Sequence, residues 1–283
     1  MPNDLDLIHL TLKWLYASEC AGGGISAWKN PSGSWHVVYP EITGYVLPTL
    51  VKWGAGDLAI RSADFLLLVQ NGDGSFNGID GIPHPFDTAA IIEGLRFMYE
   101  STADPRYYRA EQDALLWINK QISPEGYLYN SPQNKTPAIY NLRASAIIGN
   151  GKEMDYWRNR PLIYDRERSH YLAYALEGAL NFGEKDGAMR YLDLAYHSGN
   201  RLQPFHVGHA WNQMTPDYDI CASAQMAILF NRVGLDAEKN YKAIKQHIAA
   251  NGGVPQSTVD NRQISWGAKF YLDLVQQMEG VKV

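Results

Sequence analysis

The feature that most constrains this chain is a repeat with a period of about fifty residues, a spacing that signals a helical repeat architecture. An amphipathic helix, a glycine turn and a short extended piece recur as LTLKWLYASECAGGGISAW, SADFLLLVQNGDGSFNG and DALLWINKQISPEGYLYN, and more weakly as AIKQHIAANGGVPQS. Aligning these segments superimposes Gly24, Gly74 and Gly126. Glycine fits a left-handed exit from each helix, after which Trp28, Phe76 or Tyr127 covers the helix end.

A second, more apolar helix follows each turn: EITGYVLPTLVKW, DTAAIIEGLRFMY, NLRASAIIG, HYLAYALEGAL, DICASAQMAILF and WGAKFYLDLV. Their starts, at Glu41, Asp87, Asn141, His170, Asp219 and Trp266, keep regular step except for one short interval. That interval shortens the outer helix near 151–168. Gly44, Ala89, Ala144, Ala173 and Ala222 allow close helix approach, so these six helices should form an inner ring. Segments such as DPRYYRAEQDALLWINK carry one apolar stripe and one charged face, as outer helices do. The expected fold is an all-α (α/α)6 toroid, a six-hairpin barrel. With no Pro/Ser-rich linker, 1–283 reads as one domain.

Charge narrows the partners. The chain has 25 Lys and Arg against 30 Asp and Glu and no basic run to follow a phosphate backbone, so nucleic acid is not expected. Cys20 and Cys221 lack the close-set partners of a structural zinc site, so neither metal nor cofactor is expected. The segment MPNDLDLIHLTLKWLY has acids where a signal peptide needs bases, and no apolar run could span a bilayer. The expectation is a cytoplasmic monomer or weak homo-oligomer with no membrane contact.

Inner helices that all begin on one side of a ring bring their first turns to one mouth of the central cavity. Tyr39, Glu41, Tyr45, Asp87, Tyr140, Arg143, His170, Tyr174, Asp219, Gln225, Trp266 and Lys269 should meet there. Glu41, Asp87 and His170 are the candidates for proton transfer. An acid in a first helical turn is also favoured by the helix dipole and the free N–H groups, so capping competes with catalysis at Glu41, Asp87 and Asp219. Arg143 and Lys269, on apolar helices, require a neighbouring acid or an anionic ligand. The loops NPSGSWHVVYP, NGIDGIPHPF and QPFHVGHAWNQMTPDY add Trp35, His209 and Trp211 as sugar-stacking candidates, although loop packing would use the same residues.

Read in order, YPEITGYVLPT, QNGDGSF, PFDTAAIIEGL, YNLRASAII, HYLAYALEGAL, GNRL, SAQMAIL and SWGAKFYLDL resemble a group of bacterial α/α-toroid proteins associated with polysaccharide gene clusters. The pattern has asparagine where this chain has Asp87. More distantly the architecture is similar to that of sugar epimerases, unsaturated glucuronyl hydrolases and other glycosidases. The QNGDGSF turn also looks like those of terpene cyclases and prenyltransferases. Function does not come with the resemblance; Glu41, Asp87 and His170 with the aromatics point to a saccharide in the central cavity and general acid/base chemistry, glycoside hydrolysis first. Epimerisation or elimination, non-catalytic glycan binding and isoprenoid chemistry are the alternatives. Asp217-Tyr218-Asp219 is a poor substitute for a cyclase's acidic run, and Asp219-Ile220-Cys221 lacks a third zinc ligand on the last inner helix.

Overall fold

The computed structural model describes residues 4–158, 168–197, 202–204 and 217–279. His209 and Trp211 lie outside the described residues. Twelve helices are described: α1 (Asp4–Ala17), α2 (Pro40–Lys52), α3 (Gly56–Val69), α4 (Pro85–Thr102), α5 (Pro105–Asn119), α6 (Asn141–Ile148), α7 (Gly151–Arg158), α8 (Ser169–Asn181), α9 (Lys185–His197), α10 (Ile220–Arg232), α11 (Glu238–Lys245) and α12 (Ser265–Glu279). The even-numbered helices are the six expected inner ones. Each starts within two residues of the position read from the repeat. The described part of α7, eight residues long, lies in the interval where the spacing is compressed.

The chain divides into two compact units. One comprises Met1–Ser18, Trp28–His36 and Ile163–Val283; the other comprises Glu19–Ala27 and Val37–Leu162. In the second unit α2 packs on α4 and α4 on α6, with α3, α5 and α7 outside them. Gly44 is what lets α2 and α4 touch: a methyl group there would lie 2.7 Å from the Ile91 Cα. Leu47, Leu50, Ile91 and Leu95 are fully buried around that contact. The outer helices show the one-sided pattern: α5 buries Tyr107, Ala110, Glu111, Ala114, Trp117 and Ile118, a stripe at helical spacing. Asp104 caps this helix by accepting from the Arg106 N–H at 2.9 Å, and Pro105 occupies a position that needs no donor.

In the first unit α10 packs on both α8 and α12, and α1 packs on α12. Two short antiparallel pairs complete it. Strand β1 (Trp28–Lys29) pairs with β4 (Gln263–Ile264), and β2 (Gln203–Pro204) with β3 (Tyr218–Asp219).

The glycine turn is the repeated device, with one correction to its alignment. At Gly74 φ is 93° and the N–H returns to the Asn71 carbonyl. The same bond joins Gly126 to Ser123, Gly252 to Ala249 and, in the first repeat, Gly23 rather than Gly24 to Cys20. Gly23 therefore takes the left-handed place, with φ 98°. Gly24 is small for another reason, since a Cβ there would collide with the Val38 side chain at 2.2 Å.

Candidate functional site

In the second unit the site is built where α2 and α4 begin side by side. Pro40 and Pro85 each open a helix, which places Glu41 and Asp87 in the first turns. Each residue is only 6% exposed. The Tyr39 hydroxyl donates to Asp87 Oδ2 at 2.9 Å and interacts with the Glu41 carboxyl as well. Burial and the two neighbouring carboxyl groups hold the Tyr39 phenol far above its usual value, so it stays protonated.

The two carboxyl groups are displaced unequally. Burial first and the Asp87 charge second raise Glu41 well above the usual carboxylate range, against opposition from Tyr39 and Arg143. Burial also raises Asp87, to about 6, with His84 and Tyr39 opposing it. Burial thus favours the neutral form of both, and their mutual repulsion disfavours ionising the two together. A hydroxyl has one hydrogen, so Tyr39 serves one of the two carboxyl groups at a time, and its partner is Asp87.

Arg143, from α6, is buried. Its Nη2 pairs with Glu93 Oε2 at 2.6 Å and its guanidinium lies 4.5 Å from the Tyr45 ring centroid. The Tyr140 hydroxyl bonds the Asn130 side chain, and its ring meets Phe86 edge-on. Tyr39, Glu41, Tyr45, Asp87, Tyr140 and Arg143 thus belong to one neighbourhood of one unit.

The remaining candidates belong to the other unit. His170 Nδ1 is 2.5 Å from Gln225 Oε1 and 3.8 Å from Cys221 Sγ, and Tyr174, Trp266 and Phe270 surround the ring. Burial first and Arg168 second depress His170 to about 3, so it is a neutral imidazole. Its close partner is the side-chain amide of Gln225. Asp219 caps α10, its Oδ1 accepting from the Ala222 N–H at 2.8 Å. Lys269 pairs with Asp273 at 2.8 Å. Trp35 packs against Trp14, with ring centroids 4.9 Å apart.

Sequence reading passed over His84, Asp80, Asn130 and Glu93. His84 Nε2 is 2.9 Å from Asp80 Oδ2 and its Nδ1 is 3.1 Å from the Asn130 carbonyl. Burial opposes the charged ring, but Asp80, Asp87 and Asn130 outweigh it and raise His84 above its ordinary value. The usable signal was a histidine three residues before a first-turn acid, inside a loop already quoted for its aromatics.

No protein-family model matches the sequence, and no curated protein sequence matches it. Solved structures do. An alpha-amylase from Clostridium perfringens is 11% identical with TM-score 0.75, the match covering 98% of this chain and 99% of that one. An unsaturated glucuronyl hydrolase specific for heparin is 13% identical with TM-score 0.70, covering 99% of each. A sugar epimerase from a ruminal bacterium is 12% identical with TM-score 0.70, covering 98% of each. The type II terpene cyclase MstE from Scytonema shares the fold too, at 12% identity and TM-score 0.66, over 98% of this chain and 99% of that one. At such identities the likeness establishes the fold, an all-α toroid of the six-hairpin type. No helix among the described residues is long and apolar enough to cross a membrane.

Proposed function

We propose that the protein is a carbohydrate-active enzyme that hydrolyses a glycan or a uronic-acid-containing saccharide by general acid/base chemistry, with Glu41 as the proton donor and Asp87 as its ionised partner. The supporting observation is a pair of buried carboxyl groups in the first turns of adjacent helices, both raised by burial and joined through Tyr39, a setting in which one can hold a proton while the other is ionised, as glycoside hydrolysis requires. In the first step Asp87 bonds to the anomeric carbon as the glycosidic bond breaks, and the leaving oxygen takes the Glu41 proton. Water then attacks the same carbon, gives its proton back to Glu41 and releases Asp87. Tyr39 holds the pair in register, Tyr140 is the partly exposed stacking candidate, and Tyr45 and Arg143 are buried behind the pair.

The other readings have less support. A glycan-binding protein has no use for two buried acids joined in this way. Epimerisation or elimination through His170 would ask an imidazole held near 3 to take a proton from carbon. Protonating an alkene needs a strong acid, and burial makes Glu41 a weak one.

The test is a screen of the purified protein against neutral oligosaccharides and uronides, repeated with Glu41→Gln, Asp87→Asn and His170→Ala. On a substrate that turns over, the first two should lose roughly 100-fold or more in kcat. Wild-type rates in both would overturn the assignment.

A further inference from the structure

We propose that His84 is a standing imidazolium that positions Asp87 and keeps it ionised, an additional member of the acid/base site; this rests on reading Asp87 as the ionised partner of Glu41. Both ring nitrogens face groups that can only accept. Nδ1 points to the Asn130 carbonyl oxygen at 3.1 Å and Nε2 to Asp80 Oδ2 at 2.9 Å. A neutral ring has one bare nitrogen, which here would set a lone pair against a carbonyl or a carboxylate oxygen. Only the doubly protonated ring satisfies both contacts.

Both acceptors are held from behind. Asp80 Oδ1 accepts from the Ile82 N–H at 3.0 Å. Asn130 donates its N–H to the Thr136 carbonyl at 3.1 Å while its side chain accepts from Tyr140. The ring is therefore fixed, and its carbon edge is turned toward the site. A methyl group on Gly78 would lie 2.8 Å from Asp87 Oδ2, 2.9 Å from His84 Cδ2 and 3.1 Å from Asp80 Oδ1, so the three groups surround a single backbone carbon. Glycine keeps that space open.

The charged groups acting on the ring are Asp80 in its own loop and Asp87 on α4, and Tyr39 and Glu41 at the start of α2 act on Asp87 in turn. Asp80 repels a charge on Asp87, and His84 more than offsets that repulsion. The imidazolium thus lowers the cost of ionising Asp87, as Arg143 does for Glu41.

The experiment follows ring-nitrogen and carboxyl-carbon NMR signals of the full chain, labelled at histidine and aspartate, through a pH titration without substrate. Loss of a signal in His84→Gln or Asp87→Asn assigns it. At pH near 7.5, where an ordinary histidine is neutral, both His84 nitrogens should be protonated. In His84→Gln the Asp87 midpoint should rise by about half a unit to one unit. In Asp80→Asn, which keeps the shape of the loop, the His84 midpoint should fall. One bare nitrogen at that pH in the wild type, or an Asp87 midpoint unmoved in folded His84→Gln, overturns the proposal. Should His84→Gln fail to fold, an unmoved His84 midpoint in Asp80→Asn does so. Because no substrate enters, failure here and failure of the kinetic screen are separate results.

Discussion

Tyr39 donates its only hydroxyl hydrogen to Asp87 Oδ2 at 2.9 Å, and the same oxygen bears on Glu41. One phenol therefore joins the two carboxyl groups. Tyr39→Phe preserves the ring and removes this link. On a substrate that turns over, kcat should fall roughly 10- to 100-fold with a smaller change in KM, because the lost contact orders the reacting groups more than it binds sugar. In the infrared, the protonated-carboxyl band assigned to Glu41 by its loss in Glu41→Gln should shift, and an unshifted band would show that the phenol does not order the pair.

Asp87 links the site to stability. Its folded value, about 6, lies above the ordinary 3.8. A raised carboxyl stabilises the fold fully below its unfolded value, and that contribution is lost as pH rises through the folded one. Above pH 6 the buried charge therefore costs roughly 1–3 kcal/mol. Asp87→Asn keeps an acceptor for Tyr39 and carries no charge. Its Tm should exceed wild type at pH 7.5 and match it near pH 4, as thermal unfolding at the two pH values would show. An equal shift at both would mean that the gain is not electrostatic.

Asp219 is a comparable acid in a different role. Burial raises it to about 6, yet its Oδ1 is committed to the Ala222 N–H at the start of α10. Asp219→Asn should retain the cap and lose the buried charge, leaving Tm at pH 7.5 equal or higher. Asp219→Ala removes the cap and strands a donor, a loss of about 1–2 kcal/mol. Equal unfolding midpoints in the two variants would argue against capping as its main role.

The toroid was legible because burial on several sides and burial on one side leave different periodicities, and these alternate down the chain. Small residues at Gly44 and acids at Glu41 and Asp87 could be read as helix-contact and helix-start residues for the same reason. Local patterns do not encode which partner a side chain finds. The Arg143–Glu93 and Lys269–Asp273 pairs could be required but only one of them, at i,i+4, could be guessed. His170 faces an amide because Gln225 comes from another helix. The alignment slipped from Gly23 to Gly24 because three consecutive glycines offer three registers, and only the hydrogen bond to Cys20 chooses among them. His84 was missed because a histidine's charge depends on what both nitrogens meet.

The stereochemistry of the proposed hydrolysis follows from the same phenol. Two carboxyl oxygens that share one hydroxyl stand roughly 4.5–5.5 Å apart, set by two hydrogen-bond lengths and the angle between them. Inverting enzymes keep their carboxyl groups about 6.5–9.5 Å apart to admit a water, whereas retaining enzymes hold them at about 5–5.5 Å so that one can bond to the sugar. A separation of that order leaves no room for such a water. The released sugar should carry the anomeric configuration of the substrate, observed by proton NMR in the first minutes before mutarotation. Added methanol should be captured as a glycoside of the same configuration. An inverted first product would assign the ionised partner to a group other than Asp87.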